Sequence, residues 1–294
     1  MTPTPSLRPG VARLGAETLV AWLLVTALLI WLYGETVVRM VHNWWIDPNY
    51  SHGFLVPVVS AGLIWRQRRN LMEVAAGPNY SGFVFLILGL LALVIGQLGH
   101  ELFIQRVSLV PVLWGLIFLA YGWPVGRRVL FAFLYLILMV PLPYVLYDSV
   151  AFPLRLVAAS VAGWMIRLTG TPVLVEGNII HLPYIVMNVV DACSGIRSLV
   201  SLLAAGTILA YLMLPNRWSK ILIVLLVPPV AVIANAMRVV AAGLLAKTMG
   251  SAAFEGATHE TMGWAVFMLA FAMLAGFTWI LRRLTTPKGQ RHAG

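Results

Sequence analysis

The long apolar runs of this chain constrain its fold more than any other feature. Crossing the hydrocarbon core of a bilayer takes about 20 residues of helix, and several runs approach or exceed that length. Eight runs are predicted to be membrane-spanning helices, at residues 17–37, 53–66, 81–99, 104–122, 128–146, 198–214, 219–245 and 262–281. Because only 10% of the residues are charged, we expect an all-α polytopic membrane protein that forms a single integral-membrane domain over residues 1–294.

The distribution of Lys and Arg predicts how these helices are oriented. With eight spans, both termini lie on one side of the membrane, and 13 of the 20 Lys and Arg residues belong to that side. They are Arg8, Arg13, Arg66, Arg68, Arg69, Arg127, Arg128, Arg217, Lys220, Arg282, Arg283, Lys288 and Arg291. The positive-inside rule makes this side, with the tails 1–16 and 284–294, cytoplasmic. Because the cations stand at the ends of apolar runs, the net charge of +10 indicates a membrane and not nucleic acid.

Two segments between the fifth and sixth spans are predicted to lie on the outer face. Residues 150–169 are apolar but carry Arg155 and Arg167, and a crossing here would move every later loop to the other side. We therefore expect an interfacial or re-entrant helix at this point. The next segment, Thr171–Pro183, has β-branched residues on both sides of Glu176-Gly177-Asn178, which predicts a short extracytoplasmic β-hairpin.

The only cysteine, Cys193, lies in DACSGIRSL, residues 191–199, where an extended segment passes into a helix. A single cysteine excludes an internal disulfide, a CxxC redox pair and a cysteine-based metal site. The N-terminal end of the following helix and the nearby Arg197 would stabilise a thiolate. From the local sequence alone, a nucleophile and an inert buried thiol are both open, because free cysteine often serves as a small apolar residue.

Two further groups are predicted at the same membrane face as Cys193. Asn235 and Arg238 are three residues apart in NAMR, near the outer end of an apolar run. An arginine in such a run usually faces a bundle interior or a wet cavity, although it can also extend to the interface. His259, in THE, stands at the start of the eighth span, where the helix end favours a neutral imidazole. The alternative is an exposed loop histidine.

These motifs resemble those of a known family. DACSGIRSL, NAMR and THE are similar to the cysteine, arginine and histidine motifs of the exosortase and archaeosortase family, and the resemblance is closest to the bacterial exosortase branch. The segment NYSHGFLVPVVSAGLIWRQRR, residues 49–69, resembles the motif that this family carries near its second span. The motifs follow the order of the family between about residue 18 and residue 283.

The resemblance implies a membrane-embedded cysteine transpeptidase of the bacterial inner membrane, with its active site on the periplasmic face. Its substrates would be secreted proteins with a C-terminal PEP-CTERM-type tail, consisting of a short Pro-Glu-Pro-like motif, a transmembrane helix and a basic cluster. Cys193 would form a thioester acyl-enzyme, His259 would protonate the leaving amine and deprotonate the acceptor, and Arg238 would stabilise the oxyanion or orient the substrate. Membrane lipid surrounds such an enzyme, and the identity of the acceptor nucleophile stays open.

Other residues are predicted to support this site. By resemblance, Tyr50, Ser51 and His52 border it, although a helix N-cap is the more ordinary interpretation of Ser51. Ser194 is predicted to cap the helix after Cys193, and Asp191 to pair with Arg197 or Arg238. The six histidines show no close metal-ligand spacing, and no glycine-rich nucleotide motif is present, so neither a metal nor a cofactor is expected.

Two other functions are compatible with these residues. In a transporter or polysaccharide-export component, Arg238 and His259 would line a pathway and Cys193 would be incidental. The sequence shows no internal repeats and few charges deep in most spans, which disfavours this alternative. A membrane acyltransferase would hold a lipid on Cys193 and share the thioester chemistry.

Overall fold

A computed structural model describes residues 16–74, 77–189, 195–254 and 256–285. Within these residues nine α-helices are found. They are α1 Ala16–Ile46, α2 Leu55–Met72, α3 Gly82–Leu98, α4 Leu102–Val107, α5 Leu109–Tyr135, α6 Tyr144–Leu168, α7 Gly195–Met213, α8 Arg217–Met249 and α9 Gly256–Thr285. Short 3-10 helices occupy Ser51–Phe54, Leu136–Met139 and Gly250–Phe254. Helices dominate because runs of Leu, Val, Ala and Phe bury apolar surface while the helix satisfies its own backbone groups.

Helix α5 folds back on itself at Gly122. This glycine has φ 77° and ψ −178°, and the Trp114 indole donates a hydrogen bond of 2.9 Å to the Gly126 carbonyl. Residues 12 positions apart would be about 18 Å apart in a straight helix, so the chain must reverse between them. The predicted boundary between spans 104–122 and 128–146 therefore coincides with a real turn in the backbone.

The first half of the chain packs around the two arms of α5. Helix α3 lies against the first arm, with Gly82 beside Leu119 and Gly89 beside Val112. Helix α2 lies against the second arm, where the Ser60 hydroxyl donates to the Ala132 carbonyl. A buried cluster around Trp114, Phe133 and Met139 joins these helices to α1 through Met40 and Trp44.

The second half is built on α7, α8 and α9. Helix α8 runs antiparallel to both neighbours. On α7, Gly206 lies beside Val227 and the earlier Leu199 lies near Asn235. On α9, Leu274 shares a buried cluster with Val227 and the earlier Gly263 lies beside Arg238. The two halves are joined by the Tyr135 hydroxyl, which donates to the Ala204 carbonyl at 3.2 Å. The helices thus form one bundle with two distinct ends.

A three-stranded antiparallel sheet covers one end of this bundle. Its strands are β1 Leu174–Glu176, β2 Ile179–Leu182 and β3 Ile185–Asn188, in the order β1-β2-β3. The predicted hairpin is confirmed: β1 and β2 are joined by the two-residue loop Gly177-Asn178, and the φ of 62° at Gly177 is a value glycine readily adopts. The third strand was predicted only as an extended segment. Leu182 and Met187 pack against Gly243 of α8, and this end of the bundle is called the sheet end below.

The opposite end of the bundle, called the cation end below, collects basic residues. The Arg128 guanidinium donates to the Asn70 carbonyl at the end of α2, and Lys220 lies 4.9 Å from the centre of the Tyr211 ring. The described members of this group are Arg66, Arg68, Arg69, Arg127, Arg128, Arg217, Lys220, Arg282 and Arg283. This separation of charge matches the pattern from which the orientation was predicted.

Helix α6 contains most of the segment 150–169 that was predicted to be interfacial. The Leu142 carbonyl, just before α6, accepts a hydrogen bond from the Tyr50 hydroxyl, and later residues of α6 pack on Ala236 and Val239 of α8. Val175 of β1 contacts Gly163. Its later contacts lie toward the sheet end. Because α6 is long and apolar enough to cross a membrane, its interfacial position stays a prediction.

By length and composition, five segments of the described chain could each cross a membrane. They are Ala16–Ile46, Leu102–Met139, Tyr144–Leu168, Arg217–Phe254 and Gly256–Thr285. The segment Leu102–Met139 includes the reversal at Gly122. Gly82–Leu98 and Leu199–Met213 are shorter apolar helices. The helical, multi-pass character predicted from the sequence is confirmed, whereas the number of eight crossings and the single-domain boundaries stay predictions. The start of the last span was predicted too late, since α9 begins at Gly256 and not at 262.

Candidate functional site

Arg238 lies at the contact between α8 and α9. It is partly buried, and a methyl group added at Gly263 would stand 3.0 Å from its Nη2 atom. The absence of a side chain at Gly263 is what lets the guanidinium lie against the backbone of α9. His259 precedes Gly263 by four residues, one turn of the same helix. The structure therefore brings the backbone position of His259 close to the guanidinium of Arg238.

The start of α7 lies at the same level of the bundle as Arg238. Leu199 lines a cavity with Ala231 and Asn235 of α8, while Gly206 contacts Val227. Continuing this antiparallel register by one turn places Gly195, the first residue of α7, at the level of Arg238. Cys193 is two residues before Gly195 in the chain. Among the described residues, β3 ends at Asn188 and α7 begins at Gly195, and the predicted strand-to-helix junction at Cys193 lies outside them.

Several predicted site residues lie outside what the structure describes. Asp191, Cys193 and Ser194 fall between the described ranges, and the side chains of Arg197 and His259 are outside them as well. The backbone of Arg197 is in the first turn of α7, and that of His259 is in the first turn of α9. The backbone of His259 thus belongs to a helix and not to a loop. Its place near the positive end of the helix agrees with the sequence prediction.

Asn235 faces a small cavity beside the Arg238 contact. Its side chain is 7% exposed, and within the described residues its amide makes no hydrogen bond. The cavity has a volume of about 20 Å³ and is also lined by Arg155 and Leu154 of α6, so it is large enough for one water molecule. Asn235 is therefore buried in the bundle as predicted, one turn from Arg238.

Arg155 is a residue of this region that sequence reasoning did not assign to the site. Its Nη1 atom lies 3.0 Å from Oδ1 of Asp148, and its Nε atom is buried without a hydrogen-bond partner among the described residues. The available signal was the spacing: Asp148 and Arg155 are seven residues apart, two helical turns, in an otherwise apolar stretch. The charge pair fixes Arg155 where it reaches the cavity of Asn235.

His52 connects the segment Tyr50–Phe54 to α7. Its Nε2 atom is 3.1 Å from the Leu138 carbonyl, and its Nδ1 atom is 3.3 Å from the Ser201 hydroxyl. The carbonyl can only accept, so Nε2 carries the proton and, in the neutral ring, Nδ1 accepts from Ser201. Burial lowers the pKa of His52 below 6.5, and hydrogen bonds to the Leu138 and Asn49 carbonyls offset part of that shift. His52 therefore contacts α7 at Ser201, six residues after the start of that helix.

Tyr50 and Ser51 are placed differently from each other. The Tyr50 hydroxyl donates to the Leu142 carbonyl at 3.3 Å, and burial raises the pKa of this tyrosine. Ser51 is exposed and its hydroxyl donates to the Pro48 carbonyl. The prediction that Ser51 caps a helix is wrong, because its oxygen donates backwards to the preceding turn and accepts from no helix N–H in the described residues.

The described residues also bear on metal binding. Among them, no three His, Cys, Asp or Glu side chains come close enough together to hold a metal ion. The chemistry available at the site is that of a guanidinium, a buried amide and the residues that the sequence places beside them.

Comparison with known proteins identifies one family. A family model described as transmembrane exosortase matches residues 44–276. This range includes the segment around His52, the junction at Cys193, and the contact between Arg238 and Gly263. No curated protein and no solved structure matches the chain.

Proposed function

The chain belongs to the transmembrane exosortase family, and from that membership we propose that it is a cysteine transpeptidase that processes sorting tails of secreted proteins. Cys193 is the nucleophile, Arg238 the electrostatic stabiliser and His259 the acid and base. The observation that carries this assignment is the contact of Arg238 with Gly263, one turn from His259, at the level where α7 begins.

The reaction follows from the chemistry of these three side chains. The Cys193 thiolate adds to the scissile carbonyl, and collapse of the tetrahedral intermediate breaks the C–N bond and forms a thioester. His259 gives a proton to the leaving amine and later takes one from the incoming acceptor. A guanidinium is a poor base, so the role of Arg238 is that of a positive charge that stabilises the oxyanion.

The surroundings of Arg238 suit this role. Arg238 is partly buried, and its guanidinium lies against α9 at Gly263. A charge in such a site is less screened than one in water, so its attraction to a developing oxyanion is stronger. Asn235, one turn away, offers a buried amide that can orient a water molecule or a polar group of the substrate.

The substrate is a secreted protein whose tail combines a recognition motif, a transmembrane helix and a basic cluster. A basic cluster is stable at the cytoplasmic face of the membrane. If the cation end of this protein is cytoplasmic, a tail helix beside the bundle presents its recognition motif at the sheet end, near Arg238. The acceptor is any nucleophile that reaches the thioester from that face.

The direct test is processing of a co-expressed tail-bearing substrate in cells, followed by gel shift and mass spectrometry. We expect the native chain to cleave near the tail motif and Cys193→Ala to leave the substrate intact. We expect His259→Ala and Arg238→Ala each to reduce processing about 100-fold or more, because each removes a group used in the transition state. The mass of the new C-terminus identifies the acceptor.

Two matched variants separate chemistry from folding. Lys247→Ala removes an exposed cation from α8, and His42→Ala removes an exposed histidine from α1. Both are expected to process the substrate at the native rate, with all variants present in the membrane at equal amounts. Normal processing by Cys193→Ala would contradict the proposal and leave the thiol a structural residue.

A further inference from the structure

A second, larger cavity lies away from Arg238, where α1 passes the connection between α3 and α4. Its volume is about 540 Å³. Its polar wall includes Glu35, Arg39, His100 and Arg106, and its apolar wall is formed by Trp31 and Leu32. Because α1 and α3 both run toward the sheet end at this point, the cavity opens near that end of the bundle.

Arg106 is the unusual residue of this cavity. It is only 5% exposed, and no carboxylate among the described residues comes within 4 Å of it. Its Nη2 atom is 3.1 Å from the side-chain oxygen of Asn43, with the amide oriented so that this oxygen accepts. A buried guanidinium usually has an anionic partner, because removing a charge from water is costly. A neutral amide provides only part of that compensation.

The carboxylates in and beside this cavity already have partners. Glu35 pairs with Arg39 on the same helix, and Glu101 accepts a hydrogen bond from the backbone N–H of Phe103 at the start of α4. Arg106 therefore adds a positive charge to a cavity whose other ion pair is already balanced. An anion bound there would complete the charge balance.

The apolar wall indicates what kind of anion fits. Trp31 is 79% exposed and Leu28, about one turn earlier on α1, is 54% exposed. In a membrane these side chains face acyl chains, so apolar surface continues directly from the charged wall of the cavity. A ligand with an anionic head and hydrocarbon chains matches both surfaces, and indole rings are common at this depth of a bilayer.

We propose that this cavity binds an anionic phospholipid, with its phosphate beside Arg106 and Arg39 and its acyl chains along α1. The site is separate from the contact of Arg238 and Gly263 and does not depend on the proposed reaction. Arginine suits this task because its planar guanidinium donates two hydrogen bonds to a phosphate group.

The test is native mass spectrometry of the full-length protein, purified in detergent, delipidated and titrated with phosphatidylglycerol. We expect one tightly retained lipid, and we expect Arg106→Gln to raise its apparent Kd about tenfold or more, the size of a lost charged hydrogen bond. Arg66→Gln, which removes an exposed charge at the cation end, is the matched control and should bind as the native protein does. If Arg106→Gln fails to fold, Arg39→Gln is expected to weaken binding in the same direction.

Two further titrations identify the head group. Phosphatidylcholine has the same phosphate but no net charge, and it should bind more weakly than phosphatidylglycerol. Inorganic phosphate at the same concentration should not displace the lipid. Equal retention of both lipids, displacement by inorganic phosphate, or unchanged binding to folded Arg106→Gln would each overturn the proposal.

Discussion

At the scale of single residues, His52 shows how a motif near the second helix contacts residues that are distant in the chain. Its two ring nitrogens reach Leu138 and Ser201, which are 86 and 149 residues away in the chain. One imidazole thus ties the segment Tyr50–Phe54 both to the end of the α5 arm and to α7. Ser201 was not predicted as a partner, since one serine in an apolar helix has no distinguishing sequence signal.

The protonation of His52 is expected to couple stability to pH. Its pKa in the folded protein is below the value of 6.5, so the unfolded chain binds more protons as the pH falls through that value. The contribution of neutral His52 to the free energy of unfolding is therefore complete above about pH 6.5. It decreases as the pH is lowered below that value. Unfolding midpoints measured between pH 7.5 and pH 5 should show this decrease.

The variant His52→Gln isolates this effect, because glutamine keeps hydrogen-bonding atoms but does not titrate. We expect it to flatten the pH dependence of the unfolding midpoint, while the exposed control His42→Gln keeps the native dependence. An unchanged slope in His52→Gln would mean that other groups cause the acid sensitivity.

At the scale of elements, small residues control how closely α3 approaches α5. Gly82, Gly89 and Gly96 are spaced seven residues apart, and at each of them an added methyl group would come within 3 Å of the facing α4–α5 segment. In a membrane, helices associate through such close packing because lipid is as apolar as the side chains. The heptad spacing keeps the three glycines on one side of α3.

We expect Gly89→Ala to lower the free energy of unfolding by about 1–3 kcal/mol, the usual range for overpacking a tight contact. The new methyl group would stand 2.5 Å from a Val112 methyl and 2.9 Å from the Val112 backbone nitrogen, so the helices must separate. Unfolding in mixed detergent micelles, followed by tryptophan fluorescence, measures the change.

The control for this packing prediction is Gly62→Ala on α2, where nothing lies within 4 Å of the added methyl group. It should be neutral or slightly stabilising, because alanine favours helix more than glycine does. Equal effects of Gly62→Ala and Gly89→Ala would show that helix propensity and not interhelical packing determines the result.

The elements that the sequence predicted well carry strong local signals. The β1–β2 hairpin was predicted because Gly177-Asn178 is turn chemistry between β-branched residues. The start of α9 was missed because the polar residues Thr258 to Thr261 hide a helix from a hydropathy pattern. The third strand was missed because its pairing with β2 depends on register and not on composition.

At the scale of the whole molecule, the sequence identified the candidate residues but not all of their neighbours. Cys193, Arg238 and His259 were chosen because they interrupt apolar sequence at equivalent helix ends. The approach of Gly263 to Arg238 and of Arg155 to Asn235 was not predicted. These contacts depend on how the helices pack, and the spacing of residues within one helix does not show which residues of another helix they meet. Charge distribution, in contrast, is a global property that the sequence already contains, and the cation end of the bundle agrees with it.

The orientation of the whole bundle is the remaining prediction that follows from this charge distribution. Because Cys193 is the only cysteine, Cys193→Ser gives a cysteine-free chain into which single thiols can be placed. Exposed positions exist at both ends: Thr248 near the end of α8 and Ser81 just before α3. If the cation end is cytoplasmic, a membrane-impermeant thiol reagent added to intact cells with a permeable outer membrane should label Thr248→Cys and not Ser81→Cys. Disruption of the inner membrane should then expose both thiols equally, which confirms that each is reactive. Labelling of Ser81→Cys and not Thr248→Cys in intact cells would show the opposite orientation. Arg238 and the sheet end would then be cytoplasmic, and this site would be separated from any secreted substrate.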